Sequence, residues 1–112
     1  MNDKTLTVTD RPELDRYEIA VGGQVAFLDY RHRDDHVVLS HTEVPVLFRG
    51  RGYGSMLARH ALDEARRSGK QVVVKCPFVT AWVGRHHEYD DIIIARVTED
   101  GGIDRQPPTE PR

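Results

Sequence analysis

The chain has 112 residues, of which 38% are hydrophobic and 30% charged, and its formal net charge is −2 at pH 7. This balance is typical of one small soluble domain and disfavours a protein built to bind nucleic acid. A single cysteine excludes an internal disulfide framework, and no apolar run approaches the roughly 20 residues that span a bilayer. We therefore expect a cytoplasmic protein with neither a nucleic-acid partner nor a membrane partner.

The first part of the chain predicts an antiparallel meander. Residues 5–9 alternate polar and apolar side chains, as a short strand does, and a turn follows. Gly22 and Gly23 then separate two strand-like segments, which predicts a β-hairpin. The strand after this hairpin should end before Pro45, which has no N–H for a β-ladder. The expected strands are residues 5–9, Arg16–Val21, Gln24–His32 and residues 36–44.

The period changes after residue 54. Apolar residues recur at helical spacing and predict one long helix ending near Ser68 and Gly69: Leu57, Ala58, Ala61, Leu62 and Ala65. Residues 71–75 predict a buried strand, parallel to the strand before the helix and reached by a right-handed crossover. A short helix from Pro77 to about Arg85 follows, which Phe78 and Trp82 should pack onto the sheet. Residues 90–97 predict a last strand or extended arm.

The fold class is therefore α+β with a mixed sheet. We expect one domain over residues 1–97 and a disordered tail over residues 98–112.

The stretch "RGRGYG" lies between the strand expected at residues 36–44 and the long helix. Glycines at alternate positions let consecutive backbone N–H groups converge on an anion, and a helix N-terminus adds to the field. The spacing matches neither a Walker A loop nor a dinucleotide fingerprint. A small phosphate-bearing ligand is the physical expectation.

This loop also fits the Gln/Arg-x-x-Gly-x-Gly/Ala signature of the GNAT acetyltransferase superfamily. "HTEVPVLFRGRGYGSMLARHALDEAR" followed by "KCPFVTAWVGRHHEY" resembles the small YjdJ-type N-acetyltransferase-like family, over about residues 17–89. The resemblance implies a meander plus a splayed parallel strand pair, one long and one short helix, and no early helices of the larger enzymes. It also implies acetyl-coenzyme A as cofactor, with pantetheine pairing near Thr42 and Val44. The pyrophosphate would be held by Arg49, Gly50, Arg51, Gly52, Tyr53, Gly54 and Ser55.

Three residues near the expected crevice carry candidate chemistry. Strand alternation predicts Leu39, His41 and Glu43 on one face, where His41 can take a proton from an amine. Glu43 is a second candidate base or a group that orients the amine. Cys76 ends the other flanking strand. With His41 it can form an acyl-enzyme, or it can line the pocket or help reprotonate the departing thiolate.

The resulting interpretation is an acetyl-coenzyme A-dependent N-acetyltransferase acting on an unidentified amine of a small molecule or a protein. The alternative is a non-catalytic module that binds coenzyme A or a partner protein. The resemblance also makes Tyr89 a candidate proton donor to the leaving thiolate. His86 and His87 are adjacent and lack a third ligand, so no metal is expected. A monomer or a weak homodimer fits the size.

Overall fold

The computed structural model describes residues 7–97 and 102–105. Its strands form one sheet in which the spatial order follows the chain order. They are β1 (Thr9–Arg11), β2 (Arg16–Val21), β3 (Gln24–His32), β4 (His36–Glu43), β5 (Gln71–Val74), β6 (Ile93–Val97) and β7 (Ile103–Arg105). The α-helices are α1 (Tyr53–Arg67) and α2 (Pro77–Val83), and 3-10 turns span Pro12–Leu14, Val46–Phe48 and His87–Ile92.

The sheet is mixed. Strands β1 to β4 pair antiparallel as a meander, β4, β5 and β6 pair parallel, and β7 returns antiparallel to β6. Helix α1 connects β4 to β5, and α2 connects β5 to β6, because parallel neighbours need a crossover rather than a hairpin. The predicted α+β class, the β2–β3 hairpin and the parallel pair around the long helix are confirmed.

Both helices pack on the same face of the sheet and share one apolar cluster with it. The predicted stripe of α1 is buried, and Leu57 and Leu62 are fully enclosed. Each such side chain stabilises the fold by about 1.5–3 kcal/mol relative to exposure. Between β1 and β2 the chain forms only the turn Pro12–Leu14, so no early helix covers the opposite face in the described part of the chain.

Two predictions of chain course differ from the structure. Of the strand predicted at residues 5–9, residues 5 and 6 lie outside the described part, residues 7 and 8 are not in a strand, and Thr9 begins β1. Its position follows from pairing of Arg11 with Arg16 across the short turn, which outweighs side-chain alternation. Residues 103–105 were expected in a disordered tail, yet they form β7 on β6. Main-chain hydrogen bonds to an open edge need little apolar content, and Ile103 stays 60% exposed.

Other boundaries shift by one or a few residues. Strand β5 ends at Val74, and α2 ends at Val83. Strand β6, predicted over residues 90–97, starts at Ile93, because the residues before it form the turn His87–Ile92. Neither α-helix of the described chain combines the length and hydropathy needed to cross a bilayer.

Candidate functional site

The parallel strands β4 and β5 pair only as far as Leu39 and Val74. The amides of Lys75 and Cys76 both donate to the Leu39 carbonyl, at 2.8 and 3.2 Å. Beyond that point β4 continues to Glu43, whereas the segment after β5 turns into α2, so the two strands separate. Along residues 40–43, this edge of β4 has no strand partner within the described ranges 7–97 and 102–105.

A β-bulge at Ser40 changes which side chains of β4 share a face. Leu39 pairs with Tyr30 and His41 with Asp29, which leaves Ser40 without an opposite residue. The extra residue reverses the alternation, so the prediction that Leu39, His41 and Glu43 share a face is wrong. Leu39 and Thr42 face the helices, whereas His41 lies on the other face.

His41 and Glu43 lie next to each other on that helix-free side. His41 Nε2 is 3.2 Å from Glu43 Oε1, and both side chains are 56% exposed. The imidazole also lies 5.9 Å from the Phe27 ring, between centroids. A histidine hydrogen-bonded to a carboxylate has a fixed orientation and can accept a proton from a nucleophile.

Cys76 lies on the helix side and is only 2% exposed. Its thiol donates to the hydroxyl oxygen of Thr42 at 3.2 Å. The predicted pairing of Cys76 with His41 is therefore wrong, because the bulge places the two side chains on opposite faces of the sheet. The partner that the fold gives to Cys76 is Thr42.

A side-chain hydrogen bond connects the glycine loop to the residue that follows β4. Arg49 Nε donates to the Val44 carbonyl at 3.2 Å. Gly52 caps α1 with φ of 90°, a left-handed conformation that strains residues with a side chain. The Met56 amide donates to the Gly52 carbonyl at 3.0 Å, so the three preceding amides have no acceptor within the helix. These N–H groups and the positive end of the helix dipole favour an anion.

A cavity of about 660 Å³ joins the glycine loop to the open edge of β4. It brings together all the sequence-predicted site residues except Arg51 and Cys76. Arg51 instead lies with its guanidinium carbon 5.7 Å from the Phe48 ring. The residues lining the cavity are His41, Thr42, Glu43, Val44, Phe48, Arg49, Gly50, Gly52, Tyr53, Gly54, Ser55 and Phe78.

Phe48 and Phe78 line the cavity without having been predicted to do so. Phe78 was expected to pack α2 onto the sheet, but it is 40% exposed and contacts Gly54 instead. A Cβ on Gly54 would lie 2.7 Å from Phe78 Cζ, so the glycine makes room for the ring. Gly54 was the feature of the sequence that could have indicated this contact with an aromatic ring. Trp82, by contrast, is 1% exposed, and its predicted packing is confirmed.

The segment around Tyr89 is hydrogen-bonded to α1 and does not line the cavity. The Tyr89 hydroxyl donates to Asp63 Oδ1 at 2.6 Å, and burial, with the Asp63 hydrogen bond, raises the pKa of Tyr89. Arg66 binds Asp91 with two nitrogens, each at 2.8 Å. Tyr89 is not among the residues lining the cavity, so its predicted contact with a leaving thiolate has no support in this geometry.

The five arginines between residues 49 and 67 divide into two groups. The three arginines farther along α1 are in ion pairs: Arg59 with Glu88, Arg66 with Asp91 and Arg67 with Glu64. Their charges are therefore balanced locally. Arg49 and Arg51 remain at the loop, and only Arg49 lines the cavity.

Comparison with known proteins agrees with this architecture. The family model described as GCN5-related N-acetyl-transferase matches residues 16–92, which span β2 through both α-helices. A search of curated proteins finds no match. The match covers well over half of the chain and includes the glycine loop and the separated strands, so the chain belongs to the GCN5-related N-acetyltransferase family.

Proposed function

We propose that this chain is an acyltransferase that moves an acetyl group from acetyl-coenzyme A to an amine. Family membership supports acyl transfer in general. The observation that carries the finer proposal is one continuous cavity from the anion-favouring loop to the unpaired edge of β4. A substrate with a phosphate group, a peptide-like arm and a reactive end matches that order of chemical groups.

The residues present suit acetyl-coenzyme A as a substrate. The free amides at the start of α1 and the Arg49 guanidinium suit the pyrophosphate. Main-chain groups of Thr42 and Val44, along the part of the chain that no longer pairs with β5, suit the amides of the pantetheine arm, as an added strand would. Phe48 and Phe78 supply apolar walls along this path. The reactive thioester would then lie where β4 and β5 separate.

The proposed chemistry is direct transfer. The amine attacks the thioester carbonyl, an N–C bond forms and the C–S bond breaks. His41, oriented by Glu43, takes the proton that the amine loses. The Thr42 hydroxyl gives a proton to the leaving sulfur and receives one from the Cys76 thiol. Water in the cavity then returns a proton to the Cys76 thiolate through the same Thr42 hydroxyl. The burial of Cys76 supports this route over an acyl-enzyme.

Finer assignments remain predictions. They are membership in the YjdJ-type group, a cytoplasmic location, and a monomer or weak homodimer. The acceptor is an amine of a small molecule or a protein. The alternative is a non-catalytic module that binds coenzyme A. The exposure of His41 and Glu43 favours this alternative, because no wall in the described part of the chain encloses an acceptor beside them.

Binding is tested by thermal unfolding with acetyl-coenzyme A. At 100 times its dissociation constant the ligand should stabilise the protein by about 2.7 kcal/mol. Arg49→Ala should weaken binding by about tenfold or more, because a hydrogen bond from a charged group is lost. Arg51→Ala is the matched control, with a smaller effect, since Arg51 does not line the cavity. No stabilisation at millimolar ligand contradicts the proposal.

Catalysis is tested by release of free coenzyme A thiol in the presence of a broad panel of amines and lysine peptides. We expect release of the coenzyme A thiol to depend on the amine and to be slower in the His41→Ala protein. Binding without turnover for every amine would contradict catalysis and support the non-catalytic alternative.

A further inference from the structure

Helix α2 contacts two consecutive residues at the start of α1, Gly54 and Ser55. Phe78 lies against Gly54, and Trp82 Nε1 donates to Ser55 Oγ at 2.8 Å. Ser55 is in the first turn of α1 and lines the cavity, whereas Trp82 is buried behind it. The tryptophan thus reaches the site only through the serine.

The direction of this hydrogen bond determines what Ser55 can do. An indole N–H is a donor only, so the Ser55 oxygen must be the acceptor. The hydroxyl hydrogen of Ser55 is then left for another acceptor. In residues 7–97 and 102–105, none of the structure's hydrogen bonds is donated by that hydroxyl. It lies beside the amides of Tyr53 and Gly54, which are also donors without an acceptor in the helix.

The indole itself is held firmly. The His86 ring stacks on Trp82 with centroids 3.6 Å apart and planes at 8°. His86 Nδ1 donates to the Trp82 carbonyl at 2.8 Å, and the Arg59 guanidinium carbon lies 5.1 Å from the indole ring. A side chain held by a stacked ring and by a hydrogen-bonded neighbour can orient the group that it binds.

We infer that Trp82 is a positioning residue for phosphate binding: its N–H fixes the Ser55 hydroxyl as a donor toward the anion in the cavity. This rests on the proposed function, since the anion is the pyrophosphate of coenzyme A. Arg49 and the helix amides supply most of the field, and Ser55 adds one directed hydrogen bond. The simpler alternative is that Ser55 only satisfies a buried indole N–H.

A double-mutant cycle with coenzyme A as the probe separates these two roles. Ser55→Ala should weaken binding about tenfold, and Trp82→Phe about threefold to tenfold, as expected for one lost or misdirected hydrogen bond. Trp82→Phe should have no further effect in the Ser55→Ala background. An equal effect of Trp82→Phe in both backgrounds overturns the inference. Val79→Ala removes packing from the same helix and should lower stability while leaving affinity unchanged.

A second measurement uses the unsubstituted protein. Trp82 is the sole tryptophan of the sequence, so its indole N–H gives one assignable NMR resonance. When the Ser55 hydroxyl donates to a phosphate, its oxygen becomes a stronger acceptor, and the resonance should move downfield. A resonance unmoved at saturating coenzyme A overturns the inference while leaving the proposed function intact. If coenzyme A does not bind at all, both are overturned.

Discussion

The thiol of Cys76 donates a hydrogen bond to the hydroxyl of Thr42, 3.2 Å away, at the point where β4 and β5 cease to pair. Thr42 lines the cavity, and Cys76 is buried behind it. The hydroxyl therefore connects a protected thiol to the space where the reaction is proposed to occur. The bulge at Ser40 creates this contact by turning Thr42 toward the helices.

Replacing Thr42 with valine should lower kcat about tenfold, because the isosteric side chain can neither accept from Cys76 nor donate to a leaving sulfur. The free energy of unfolding should fall by about 1 kcal/mol. Steady-state kinetics and urea unfolding measure the two effects. Thr42→Ser keeps the hydroxyl and should stay close to the unsubstituted enzyme. A Thr42→Val protein with normal kcat would contradict the relay.

Replacing Cys76 with alanine should leave activity within about tenfold of the unsubstituted enzyme, since direct transfer loses only one hydrogen-bonded proton donor. Intact-mass measurement after quenching the reaction should show no acetyl adduct on the unsubstituted protein. An adduct that depends on Cys76, together with an inactive Cys76→Ala protein, would instead establish an acyl-enzyme.

Gly54→Ala should destabilise the fold by about 1–3 kcal/mol, because the new methyl carbon would lie 2.7 Å from Phe78 Cζ. The measurement is urea unfolding followed by the Trp82 fluorescence. In a Phe78→Ala background the same change should become neutral or stabilising by up to about 1 kcal/mol, since alanine is the better helix former. Equal destabilisation in both backgrounds would show that the ring is not the cause.

Stability should fall at alkaline pH through Tyr17. Burial, followed by the charges of Asp10 and Glu64, raises the pKa of Tyr17 to about 12. An unfolded tyrosine ionises near pH 10, so the raised folded pKa stabilises the protein fully below about pH 10. This contribution, about 2–3 kcal/mol, is lost as pH rises from about 10 through 12.

Tyr17→Phe keeps the ring and removes the titrating group, so its stability should fall less over the same range. Urea unfolding at about pH 8 and about pH 11 measures the difference. Burial also raises the pKa of Tyr30, which donates to Asp10, so part of the alkaline loss should remain in the variant. Identical losses in the two proteins would rule out the contribution of Tyr17.

Periodicity and turn chemistry were sufficient for most of the fold. The Gly22-Gly23 hairpin, the apolar stripe of α1 and the end of β4 before Pro45 depend on neighbours in the chain, so the sequence reports them directly. The glycine loop was identifiable for the same reason, because its spacing and its place before a helix are local properties. Family resemblance then linked that loop to His41 and Cys76.

Only the tertiary structure decided which of these residues meet. Alternation alone assigned His41 to the face of Leu39, and a one-residue bulge against β3 reversed that assignment, because register depends on a partner strand. Cys76 with Thr42, Phe78 with Gly54 and Trp82 with Ser55 are all contacts between residues more than 20 positions apart. The sequence by itself determined the elements and the chemistry available. Packing of α2 against α1 and β4 determined how that chemistry is arranged.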